Sequence, residues 1–379
     1  MEIKNKKELN VGDILATPIY DTNGTTLLPA GTKLTENYIH RLNEFYSREA
    51  YINVQTPGSE IIVVQDNIGE ELRNNTAKAI RNREIGSLIE FSKTISKKVV
   101  DYDIHEVDYY DKRKDEDYIS RHSVNVAVIS CIIGKSMGFN EKELQEVTLA
   151  GLLHDFAKTS NVNQKNVEIY AESLNKPKEA VLPLVTVDYL RDTDYVKEGI
   201  ISPDLLGSLM FHNEHHNGTG YYKKGADFLK KYKYASILHV ANVYDTLSNN
   251  DIKTIVGILP EKSIDSFSAA GGITPKTIID FFRTDCSSEE DKMLFNPEVV
   301  RKFLECVSVY SVGRRITLSN GDVAIVISNN PEIPEKPVVK VIEGMFKDNI
   351  IDLNKEIEHL DLIVQDYYYD NPDTNELKK

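Results

Sequence analysis

The stretch GLLHDFAK, Gly151–Lys158, closes an apolar run with a histidine and an aspartate side by side. Adjacent residues on a helix point about 100° apart, so His154 and Asp155 are not an i,i+4 structural pair. Their side chains can still converge on one ion, because imidazole and carboxylate both suit a divalent metal. Upstream, His122 stands with Val126 and Ile129–Ile133 in a spacing that predicts a helix with its apolar face inward. Alone, such a histidine reads as a satisfied core or surface residue; the His-Asp pair makes it a candidate ligand. A second helix is expected over FNEKELQEVTLAGLLHDFAK, with Leu144, Val147 and His154 along it, and Ala150 and Gly151 small enough for close helix approach near the ion. Downstream lies HNEHHNGTGYY, His212–Tyr222, after a helix whose last residue is expected to be His212. Gly218 and Gly220 suit a tight backbone path beside an ion or phosphate.

Away from this focus, LNVGDILATPIY and TTLLPAGTKLT read as short strands, with Asn23-Gly24 as a hairpin signal. A short amphipathic helix, LTENYIHRLNEFY, and a closing strand, YINVQ, complete a β-containing N-terminal domain, residues 1–60; Asp21 and His40 fall in a turn and on a polar face. Residues 61–105 read as a charged helical linker with a partial apolar stripe at Leu72, Ile80, Ile85, Leu88 and Ile95, either a connector or a dimer helix. Residues 106–310 read as a helical domain. Within it, KPKEAVLPLVTVDYLRD is expected to be interrupted at Pro183 or to start there. The helix FLKKYKYASILHVANVYDTLSNN carries the polar set His239, Asn242 and Asp245. Residues 311–345 change period to a β hairpin turning at Asn320-Gly321, to which PVVKVIEG adds another strand, and residues 346–379 read as a polar tail that frays.

Composition bounds the function. The 379 residues carry a formal charge of −14, which excludes the broad basic surface of a nucleic-acid polymer binder but leaves room for a local anion site. Cys131, Cys286 and Cys306 are odd in number and lack metal or redox spacing, as expected of reduced structural cysteines. The N-terminus has no apolar core of a signal peptide and no run is long enough to span a bilayer. A cytoplasmic protein without membrane contact is expected.

A dispersed His … His-Asp … His pattern followed by a glycine turn looks like a helical metallophosphohydrolase core. From about Asp117 to Asn250 the chain resembles the HD-GYP domain, a subgroup of the HD metallophosphohydrolases that cleaves cyclic di-GMP in bacterial signalling. GDILATPIYDTNGTTLLPAGTKLT and FNPEVV … SVGRRITLSNGDVAIVI resemble flanks found around that domain. The resemblance implies a mainly α fold: an all-helical HD bundle flanked by small β-containing N- and C-terminal regions. It implies that His122, His154, Asp155 and His212 are metal ligands, that Asp155 and Lys158 carry catalysis, and that Lys158 binds or polarises a phosphate. Glu214, Gly218, Gly220 and Tyr221 are retained from HHExxxGxGYP and are expected to line the ligand site.

The departures fall where metals and substrate belong. Asn213 replaces the second histidine of the pair, and Tyr222 the final proline. Leu182-Pro183 stands for a histidine-proline, Asn242 for the closing aspartate ligand, and Tyr118 for the glutamate of trinuclear members. His215 and Ser236 replace basic residues expected near phosphate; pairing His215 with His216 instead would break the spacing to Gly218, Gly220 and Tyr221. Asn213 and Asn242 could offer only neutral amide oxygens, and Leu182 none. Phosphodiester hydrolysis by this route needs a metal-bound hydroxide and further charge on the phosphoryl oxygens. At most one tightly bound divalent ion (Fe, Mn or Mg), or none, is therefore expected. Three readings stay open: a degenerate, weak or inactive signalling protein binding a nucleotide such as cyclic di-GMP or a protein partner; an active cyclic di-GMP phosphodiesterase, yielding pGpG or GMP, with a reduced ligand set; and a structural module that forms a homodimer.

Overall fold

The computed structural model describes residues 2–15, 19–20, 26–28, 32–45, 51–55, 68–101, 118–159, 164–249, 255, 258–269, 273, 275–307, 309–310, 315–330, 333, 335–355 and 362–367. It divides into two compact units, one drawn from Met1–Glu70 and Ser308–Lys379, the other from Glu71–Tyr109 and Arg113–Val307. As the resemblance implied, a mostly helical core is flanked in sequence by small strand regions.

In the N-terminal region, β1 (Glu2–Asn5), β2 (Ile14–Leu15) and β5 (Tyr51–Gln55) form an antiparallel sheet in the order β1-β5-β2, and β3 (Ile19–Tyr20) pairs with β4 (Thr26–Leu28). The expected turn at Asn23-Gly24, and Asp21 with it, lies outside the described residues. Helix α1 (Glu36–Phe45) packs its apolar side on a core of Leu9, Leu15, Leu34, Leu42, Ile52 and Val54. His40 is on its exposed face beside Glu44.

The helical unit begins with α2 (Glu70–Asn82) and α3 (Ile85–Asp101), the latter packed on both α4 (Tyr118–Ser136) and α5 (Glu141–Leu153). Burial of α4 extends well beyond one stripe: all of Ser120–Gly134 except Arg121 is buried. A helix enclosed on nearly every side is a core element. Helix α5 starts at a capping box, Asn140 Oδ1 accepting from Glu143 N and Glu143 Oε2 from Asn140 N. Its Gly151 lies against α4 so closely that a Cβ there would sit 2.4 Å from Ala127 Cα.

Next come α6 (Gln164–Leu174), α7 (Lys178–Arg191), α8 (Asp194–Lys197), α9 (Pro203–Phe211), α10 (Ala226–Leu229) and α11 (Ala235–Ser248). Pro183 corrects the sequence reading: α7 starts five residues before it and runs through it. The proline forfeits one helical hydrogen bond near the N-terminus, while apolar burial of Val181, Val185 and Leu190 holds the helix together. Helices α4 and α11 pack side by side at the centre. Helices α12 (Glu261–Ala269), α13 (Pro275–Cys286) and α14 (Pro297–Cys306) complete the unit, α14 contacting both α4 and α11.

At the C-terminus the structure departs from a hairpin with a fraying tail. Strands β6 (Arg315–Leu318), β7 (Val323–Ser328), β8 (Val338–Glu343), β9 (Ile350–Asp352) and β10 (Val364–Tyr367) form one antiparallel five-stranded sheet, ordered β10-β6-β7-β8-β9. Two of these strands lie beyond Asp348, in the stretch read as tail. Polar composition hid them; Ile351, Leu353 and Leu362 are buried and supply the apolar surface that holds them. The anticipated turn is present, with Gly321 at φ +86° and Asn320 Oδ1 accepting from Asp322 N.

Candidate metal centre

The centre is assembled by helix ends. His154 is the C-cap of α5 and still has helical backbone angles, φ −57° and ψ −37°. Asp155 leaves the helix at φ −108° and ψ 21°, before a 3-10 turn over Phe156–Lys158. That break allows neighbouring side chains to meet: Asp155 Oδ2 is 3.4 Å from His154 Nε2. His212 is likewise the C-cap of its helix, α9. Both histidines use Nδ1 against the carbonyl three residues back, His154 to Gly151 O at 2.8 Å and His212 to Leu209 O at 2.7 Å. On α4, His122 Nδ1 meets Asp245 Oδ2 at 2.6 Å. A carbonyl or carboxylate only accepts, so each Nδ1 carries the proton and each neutral ring presents the lone pair of Nε2.

His122 Nε2, His154 Nε2 and Asp155 Oδ2 form a triangle with edges of 3.2, 3.4 and 3.6 Å. All three residues are buried. The donor atoms of a tetrahedral cation with bonds of about 2.1 Å stand about 3.4 Å apart. Two imidazole lone pairs facing each other at 3.2 Å repel unless a positive charge lies between them, so the donor set fits a single divalent ion. Burial lowers the pKa of His122 despite Asp245, keeping it neutral. It also drives His212 down to about 3. Burial opposes ionisation of Asp155, yet the ammonium of Lys158 beside it is the largest opposing influence, and the carboxyl is held well below its usual range. Lys158 Nζ donates to the same Oδ2 at 2.7 Å. The ring of His212 is 5.3 Å from that of His154, and its Nε2 is buried without a hydrogen-bond partner. It is not one of the three residues whose donor atoms cluster.

The HD domain family model matches residues 119–247. Residues 119–247 are an HD domain. A solved structure, Bd1817, a HDG"Y"P protein from Bdellovibrio bacteriovorus, is similar at 17% identity over 80% of this chain and 98% of that one, with a TM-score of 0.41. Curated proteins gave no significant match. Among the described residues, no helix is long and apolar enough to cross a membrane.

The remaining sequence-singled residues of the HD domain are occupied by one another or by the fold. Asn242 Nδ2 donates to Asn213 Oδ1 at 3.2 Å, so the two amides that stand for ligands spend that bond on each other. Leu182 packs against Ala157, Val167, Val181 and Val185. Glu214 is buried, and its carboxylate accepts the backbone N–H of Tyr222 and of Lys224, both at 2.8 Å. A proline at position 222 could not make the first bond, so the departure from the family motif supplies a donor. Gly218 has φ +76°, and a Cβ on Gly220 would lie 2.8 Å from Glu214 Cα. The carbonyl of Tyr221 accepts from Lys176 Nζ, and Tyr222 Oη donates to Ala180 O. Glu214, Gly218, Gly220 and Tyr221 thus belong to one folded loop whose polar groups hold its own backbone. His215 bonds Thr219 and the Ile258 carbonyl.

One residue changes meaning. Asp245, which the sequence marks only as one of the polar set on its helix, faces His122 and orients it. Asn125, three residues after His122 and so on the same helical face, donates to the other oxygen of Asp245 at 3.1 Å. That i,i+3 relation was visible in the sequence. Arg73, which contacts Asn125 from α2, carried no such signal.

Proposed function

We propose that this protein is a degenerate HD-GYP-like signalling protein, weak or inactive as a hydrolase, which binds a cyclic dinucleotide or a signalling partner in the cytoplasm through its HD domain. One observation supports the reading above the others: among the described residues, only His122, His154 and Asp155 bring donor atoms together, while Asn213 and Asn242 are paired with each other. His122, His154 and Asp155 would hold one divalent cation. Bound there, it would act as a Lewis acid toward a phosphoryl oxygen. The chain's own contribution is to keep two imidazole Nε2 atoms and one carboxylate in place, and to hold Lys158 beside Asp155 as a cationic group for an incoming phosphate. A further metal ion would need donors that Leu182 does not have and that Asn213 and Asn242 offer only as neutral amides, and two-metal hydrolysis needs both ions.

A second reading, slow cyclic di-GMP hydrolysis with a reduced ligand set, draws support from the unpartnered Nε2 of His212 beside His154. Elemental analysis of protein purified with Fe, Mn and Mg available, run beside a cyclic di-GMP turnover assay, separates the two. The degenerate reading expects no more than one metal per chain and no turnover. Two metals per chain, with turnover abolished in His154→Ala, would overturn it. One metal with slow turnover lost in His212→Ala would favour the second reading.

A further inference from the structure

The inner face of the centre continues outward as a chain of hydrogen bonds that ends on helix α2. Arg73 Nη1 donates to Asn125 Oδ1 at 2.8 Å. Asn125 Nδ2 donates to Asp245 Oδ1 at 3.1 Å, and Asp245 Oδ2 faces His122 Nδ1 at 2.6 Å. Asn125, Asp245 and His122 are all buried, Asp245 completely.

Chemistry fixes the direction of every link. A guanidinium has only donors, so Asn125 must turn its oxygen to Arg73 and its NH2 to Asp245. A carboxylate has only acceptors, so His122 must carry its proton on Nδ1. The neutral ring is then left with its lone pair on Nε2, the atom at the corner of the donor triangle. We propose that Arg73 and Asn125 are positioning residues for the cation site: by holding Asp245 in place they fix both the tautomer and the orientation in which His122 meets the ion.

The energetics favour this assignment over simple packing. A fully buried carboxylate is costly unless its oxygens are satisfied, and Asp245 receives one bond from His122 and one from Asn125. The charge on Arg73 polarises the Asn125 amide, strengthening the donor that faces Asp245. Hydrogen-bond partners behind a ligating histidine set metal affinity by about 10–100-fold. Helix α2 also contacts α4 by two routes that bypass the relay, Arg81 Nη1 to Ser120 Oγ and Arg121 Nη2 to Asn74 Oδ1. These provide an internal control, since each joins the same helix pair through a hydrogen bond other than those of the relay.

The inference rests on the single-cation reading above, and its test separates the two. Mn2+ titration of the 379-residue protein by calorimetry is expected to show binding weakened about tenfold or more in Arg73→Met and Asn125→Leu, recovered in part in Arg73→Lys, and unchanged in Arg121→Met. Equal weakening in Arg73→Met and Arg121→Met would reduce the effect to packing and overturn the proposal, as would an unchanged affinity in Asn125→Leu. Should the wild-type protein bind no Mn2+, the single-cation reading fails alone. The relay is then read from the 15N resonances of histidine-labelled, chelator-treated protein, with His122 assigned through His122→Gln. The wild type is expected to hold His122 as the Nδ1–H tautomer and Asn125→Leu to shift it toward a mixture; no difference between them would overturn the proposal.

Discussion

At the scale of single residues, the centre carries its own positive charge. Lys158 places its ammonium 2.7 Å from the oxygen of Asp155 that also completes the donor triangle. A bound cation would be repelled by that charge and would share that oxygen. Lys158→Met is therefore expected to tighten Mn2+ binding, read as a lower dissociation constant at fixed ionic strength; weaker binding would mean that Lys158 helps assemble the site. The variant leaves a buried carboxylate uncompensated, and the chelator-treated protein should lose stability, about 3–5 kcal/mol for breaking a fully buried pair and less here because the side chain of Lys158 is 23% exposed. His154 and Asp155 stood out in the sequence as an adjacent pair, and His122 became a candidate only beside them; these are the three whose donor atoms meet. The place of Asp245 was not legible. Whether Asn242 or Asp245 faces His122 depends on how α11 is rotated against α4, and that rotation is set by packing over their whole length.

At the scale of elements, the site depends on how closely α4 and α5 approach. A Cβ on Gly151 would lie 2.4 Å from Ala127 Cα and 2.7 Å from its nitrogen, both backbone atoms that cannot move aside alone. Gly151→Ala is expected to cost about 1–3 kcal/mol or more, seen as a lower urea midpoint, and to push His122 away from His154, seen as weaker Mn2+ binding. Full stability with native affinity would show that the two helices have slack. The small residues beside the His-Asp pair announced this contact in the sequence, as the apolar spacing announced helices α4, α5 and α11. The break at Asp155 was hidden, since no glycine or proline marks it; side-chain bonds hold it, Lys158 to Asp155 within the turn and Thr186 Oγ1 to the N–H of Ala157 from α7. The two strands past Asp348 were hidden because their stretch is polar and each strand is also too short to show a period.

At the scale of the molecule, acid should unfold the chain through its histidines. His122, His212, His215 and His239 all have pKa values lowered, first of all by burial, and His212 lies at about 3. In the unfolded chain each takes up a proton near pH 6.5. Between that value and its lower folded one the unfolded state binds more protons, so stability falls as pH falls. His239 is the clearest case, buried with both ring nitrogens unpartnered and stacked on Phe295. Urea midpoints of chelator-treated protein are expected to drop steadily from pH 7.5 to pH 5. His239→Leu should flatten that slope by up to about 1.4 kcal/mol per pH unit below pH 6.5; an unchanged slope would mean that His239 titrates alike in both states.

Helix α2 has one further bearing. Arg73, Arg81 and Asn74 fasten it to the helix that carries His122, and α2 is the first element of the helical unit after the N-terminal strands. Binding free energies are reciprocal. Whatever factor the seating of α2 adds to the affinity for the ion, the ion must return to the seating of α2. Occupancy of the centre would in this way have an output of its own, read as the grip on a single helix.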